Sequence, residues 1–113
     1  MTAQAIPAST DELDVAALRA SAGQAQALLK TLANQDRLLL LCQLVSGERN
    51  VSELEQSLGI QQPTLSQQLG VLRREGLVAT RREGKQIFYR IDSPEALAIL
   101  QTLYQLFCNE ESV

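Results

Sequence analysis

A chain of 113 residues, 45% hydrophobic and 20% charged, holds material for one globular core and not for two. It contains no run of eighteen apolar residues, which excludes a membrane-spanning helix, and its first ten residues lack a basic patch followed by an apolar run, so no secretory leader is expected and the chain is expected to be cytoplasmic. The net charge of −3 argues at first against a nucleic-acid partner, but between Arg73 and Arg90 six cations stand against two carboxylates, a local balance of +4 that leaves −7 elsewhere. A duplex responds to charge within about 8 Å at physiological salt, so the local patch counts for more than the total.

In chain order, residues 1–10 are small, polar and proline-containing and read as a disordered lead-in, with one domain over 11–113. From Asp11 to Ala33, Leu13, Ala16, Ala17, Ala20, Ala27, Leu28 and Leu32 recur at helical spacing, with Gly23 a weak point or break. Asp36 then precedes the nearly all-apolar run Arg37 to Val45, whose leucine richness and closing Ser46-Gly47 favour a buried helix over a strand. Ser52 and Glu55 match a capping box for the next helix, which runs through Leu54 and Leu58 and stops at Gly59. After Ile60 and Gln61 a further helix opens with Pro63 in its first turn, continues through Leu65, Leu69 and Leu72, and ends at Gly76. Leu77 to Arg82 and Gln86 to Ile91, separated by Glu83-Gly84-Lys85, read as a β-hairpin. Ser93, Pro94 and Glu95 start a last helix carrying Leu97, Leu100, Leu103, Tyr104, Phe107 and Cys108.

Helix, turn, helix, β-hairpin, helix is the order of a winged helix-turn-helix, a mainly α fold with a β-hairpin wing. Base edges in a major groove are read by hydrogen bonds, so the second helix of the pair must carry short polar side chains opposite its leucines. Gln62, Thr64, Ser66, Gln67 and Gln68 are expected on that outward and N-terminal side, with Arg81, Arg82 and Lys85 flanking the hairpin tip to grip the backbone or enter a minor groove. The helix would choose sequence and the wing would add affinity. A winged helix serving protein contacts alone is the competing reading; a steep loss of duplex binding with salt separates the two. Catalysis is not expected. The chain has no histidine to act as base, no glycine-rich phosphate loop, and a Cys42 whose apolar surroundings raise its pKa. By sequence alone, Cys42 and Cys108 are either two small hydrophobes or a redox pair.

The stretches LANQDRL from Leu32, VSEL from Val51, TLSQQL from Thr64, LRREGLV from Leu72 and GKQIFYRI from Gly84 together resemble the ArsR/SmtB family of bacterial repressors, over roughly residues 25–108. The resemblance implies a homodimer built from the first and last helices, one recognition helix per major groove, and release of operator DNA when an inducer acts. Gln68 departs from the histidine the family often carries there. Metal sensing in the family uses paired cysteines on the first helix of the motif or histidines and carboxylates on the last. Val51 to Leu58 has no cysteine and the chain no histidine, so no metal or other cofactor is expected. The placement of Cys42 and Cys108 resembles the dithiol branch, which answers persulfides and oxidants and controls sulfide-detoxification genes. The resemblance favours a bridge within one subunit over one between two. A thiol-bound trivalent arsenic signal, or no signal at all, is the alternative.

Overall fold

The structure is a computed structural model that describes residues 14–108. The expected lead-in and residues 11–13 of the expected first helix lie outside them. Helix α1 spans Val15–Leu32, and the Asp14 carboxylate accepts from the Ala16 N–H at 3.0 Å at its start. It passes through Gly23 without a break. One glycine costs a helix about 1 kcal/mol, which the neighbouring alanines and glutamines tolerate. The chain divides into two compact units, one ending at Lys30 and one opening at Thr31. The winged helix lies in the second.

There, α2 covers Gln35–Val45, β1 Arg49–Asn50, α3 Val51–Leu58, α4 Gln62–Arg74, β2 Val78–Glu83, β3 Gln86–Ile91 and α5 Pro94–Phe107. Two starts differ from expectation. The α2 cap is Asn34, whose side chain accepts from the Arg37 N–H, and Asp36 sits inside the first turn. The capping box of α3 is Asn50 with Glu53 rather than Ser52 with Glu55. Helix geometry begins at Val51, so a cap must stand one residue earlier, and asparagine fills that place as well as serine. Asn50 also belongs to β1, a strand too short to show any alternation of its own. Its register, Arg49 opposite Tyr89 and Asn50 opposite Phe88, adds a third strand to the hairpin in the order β1-β3-β2.

The α3–α4 turn and the α4 start are as the sequence indicates. Gly59 takes the left-handed conformation at φ 71°, and proline stands at the first turn of α4. The hairpin is one residue tighter than expected. Glu83 pairs with Gln86, so β2 reaches Glu83, and Gly84 turns the chain at φ +63°.

Among the described residues, the fully buried large side chains are all leucine: Leu40 and Leu41 on α2, Leu54 on α3, Leu65, Leu69 and Leu72 on α4, and Leu100 on α5. Each contributes about 1.5–3 kcal/mol of apolar burial. Because three of the seven belong to α4, this core seats the second helix of the pair and turns its opposite face outward.

Candidate DNA interface and thiol pair

With Leu65, Leu69 and Leu72 buried, the 100° step of the helix leaves Gln62, Thr64, Ser66 and Gln67 exposed. Ser66 donates to Gln62 Oε1 at 3.0 Å, and Gln62 donates to Glu55 at 3.5 Å, so these groups stand together at the N-terminal end. The Gln61 side chain makes no capping bond. The first-turn N–H groups thus lack a side-chain acceptor and, with the positive end of the helix dipole, suit a phosphate oxygen. Gln68 does not join this group. It is half-buried, and its Oε1 accepts from Arg37 Nη1 at 2.9 Å.

The wing divides similarly. Arg81 is held by three partners. Its Nε lies 2.9 and 3.0 Å from the two Glu48 carboxylate oxygens, its Nη1 3.0 Å from Glu83, and its guanidinium 4.5 Å from the centre of the Phe88 ring. The hydrogen bonds to Glu48, then Glu83, push its pKa up further. Arg82 and Lys85 are exposed and form no ion pair among the described residues. Of the three expected wing cations, two therefore present unneutralised charge and the third is locally balanced. Nothing in the sequence points to Glu48, which does the balancing: it stands 33 positions from Arg81, outside any motif.

Cys42 lies on α2, and Cys108 closes α5, its N–H donating to the Tyr104 carbonyl at 2.7 Å. Both are free and exposed at the surface. Helix α5 packs on α2, and a cleft of about 490 Å³ is lined by Cys42, Val45 and Ser46 from one side and Leu100, Gln101, Tyr104 and Gln105 from the other. Although part of Cys42 meets solvent, apolar atoms around its sulfur push its pKa up, and the charge of neighbouring Cys108 raises it further. The two cysteines, 66 positions apart in the chain, thus stand on two helices that pack on each other. Among the described residues no group of three or more histidine, cysteine or carboxylate side chains is gathered as a metal would need.

Residues 34–80 match the model of the arsR family of bacterial regulatory proteins. The chain is 50% identical over 105 residues to the biofilm growth-associated repressor of Agrobacterium fabrum, across 93% of this chain and 90% of that protein. It is 43% identical over 88 residues to the transcriptional activator HlyU of Vibrio cholerae, across 78% and 82%. The crystal structure of the transcriptional repressor BigR from Xylella fastidiosa superposes with a TM-score of 0.78 at 51% identity, over 85% of this chain and 98% of that one.

Proposed function

This chain belongs to the arsR family of bacterial regulatory proteins, and we propose that it is a dimeric transcriptional repressor whose hold on operator DNA ends when Cys42 and Cys108 are joined. The proposal is supported by the placement of Cys42 on α2 and Cys108 at the end of α5, two helices that pack on each other, with Cys42 lining a cleft between them and neither thiol on α4. Gln62, Thr64, Ser66 and Gln67 read base edges and neighbouring phosphates, while Arg82 and Lys85 hold the backbone. Two chains are needed because a symmetric operator offers successive half-sites about 34 Å apart. Tyr104, Leu106 and Phe107, 58%, 69% and 79% exposed at the end of α5, supply apolar surface for that association.

The bridging step balances in either form. An oxidant takes two electrons from the two thiols, which lose their protons as a disulfide forms. Alternatively, one persulfide passes its outer sulfur to a cysteine and leaves as a thiol. A second persulfide then accepts two electrons and two protons, departing as thiol and hydrogen sulfide while a trisulfide closes. Sulfide-detoxification genes are the fitting targets for a repressor lifted by that chemistry. A cross-link closing about 66 residues constrains the chain by about 4 kcal/mol, whereas a tenfold loss of DNA affinity needs only about 1.4 kcal/mol between the two conformations. Tying the end of α5 to α2 ties the proposed subunit contact to the core, and so moves the recognition helices off their spacing.

The test is a fluorescence-anisotropy titration on a duplex from the chain's own upstream region, before and after polysulfide treatment, with mass spectrometry of the treated protein. Wild type is expected to lose binding and gain a bridged mass. Cys42→Ser and Cys108→Ser are expected to bind as wild type does and keep binding after treatment. Release that persists in both variants would overturn the proposal.

A further inference from the structure

Helix α4 is seated on the core by Leu65, Leu69 and Leu72, and leucine contacts are non-directional. They hold the helix down and turn its polar face outward, and leave the fine setting of its rotation about its own axis to a directional contact. A rotation of a few tens of degrees would carry Thr64, Ser66 and Gln67 away from the groove. The directional contact is elsewhere. Gln68 lies at the edge of the leucine stripe, three residues after Leu65 and four before Leu72, where its side chain reaches back toward α2. Its Oε1 accepts from Arg37 Nη1 at 2.9 Å. Arg37 is fixed independently: its backbone N–H donates to Asn34 Oδ1 at 3.0 Å, and its Nε donates to the carbonyl of buried Thr31 at 2.6 Å. A donor anchored at two other points and partly withdrawn from water gives a hydrogen bond of defined direction, strengthened by the charge on the guanidinium.

From this geometry we infer that Gln68 is a positioning residue: Arg37 grips it to set the rotation of α4, and it does not contact DNA, unlike its exposed neighbour Gln67. The inference rests on the reading of α4 as the recognition helix, and it separates two adjacent glutamines to which sequence alone assigns one role.

A carboxylate discriminates between them. In place of Gln68 it remains an acceptor for Arg37 and is neutralised by it; in place of Gln67 it faces the phosphates unpaired. The experiment measures anisotropy of the full chain, reduced, on the upstream duplex at fixed salt. Gln68→Glu is expected to bind within about threefold of wild type because its pair with Arg37 persists. Gln67→Glu is expected to weaken binding more than about tenfold by loss of a base contact and repulsion. Gln68→Leu, which removes the acceptor and leaves its bulk, is expected to weaken binding about tenfold while circular dichroism stays unchanged. Rescue by glutamate but not by leucine is the mark of a positioning role. A Gln68→Glu loss as large as that of Gln67→Glu would overturn the inference even if Gln68→Leu failed to fold. Unchanged binding by Gln67→Glu would instead remove the recognition role of α4 itself, and the inference with it.

Discussion

Replacing Arg82 and Lys85 together by alanine tests the division of the wing into balanced and unbalanced charge. Each cation that neutralises a phosphate of B-DNA contributes about 0.9 to the slope of log K against log salt. A dimer brings two wings and therefore four such cations, so Arg82→Ala/Lys85→Ala is expected to flatten the slope by roughly 3 to 4. Arg81 is expected to behave differently although it is adjacent in sequence and 46% exposed. Its guanidinium already meets two carboxylates within 3.0 Å, so little counterion is released by moving it to a phosphate. Arg81→Ala should change the slope by less than about 0.5, and Glu48→Gln should steepen it by about one for each guanidinium released. The assay is anisotropy on the upstream duplex in steps from about 50 to 200 mM salt, where the effect is largest. A slope change for Arg81→Ala equal to that for Arg82→Ala would refute the reasoning. A change near two for the double variant would mean that one wing, not two, engages each duplex.

Other outcomes follow from the same structure. Asn50→Ala removes the side-chain half of the α3 capping box, leaving the backbone N–H of residue 50 to donate to Glu53, and is expected to cost about 1 kcal/mol, seen as a fall in Tm of about 4 °C or more. Ser52→Ala, by contrast, should stay within about 0.5 kcal/mol in the same thermal melt, because Ser52 is an exposed helix residue. Leu65→Ala opens a cavity at a fully buried position and is expected to destabilise by about 2–5 kcal/mol in urea unfolding, with DNA binding lost as α4 loses its seat. Burial and the charge of Cys108 both disfavour the Cys42 thiolate, so at pH 7 its alkylation should lag that of a free thiol peptide and rise only above the ordinary thiol range near pH 8.5. Cys108→Ser removes one of the two causes and should shift that rise to lower pH; a shift to higher pH would contradict the placement of the two sulfurs.

Most of the fold was legible in the sequence because its elements announce themselves locally. Leu65, Leu69 and Leu72 at helical spacing, Gly59 at a left-handed turn, Pro63 in a first turn and Ser93 as a cap each depend on chemistry within a few residues. For the same reason the exposed end of α4 followed from its buried stripe. What local pattern could not reach were the partners of the charged and amide side chains. Asn50 displaced Ser52 as the cap because the start of α3 is decided by a two-residue strand that exists only through its pairing with Tyr89 and Phe88. Glu48 meets Arg81 across 33 positions, and Arg37 meets Gln68 across 31. Both contacts give residues that read as DNA ligands a partner inside the chain. Nothing in the sequence itself distinguishes Arg81 from Arg82, or Gln68 from Gln67, and the two cysteines are two isolated thiols until α5 lies against α2. Residue type and periodicity determined which surfaces this protein has. Only the packed chain decided which of their groups remain available to bind, because a hydrogen bond or ion pair is a property of two atoms brought within about 3 Å, and no local spacing encodes that approach.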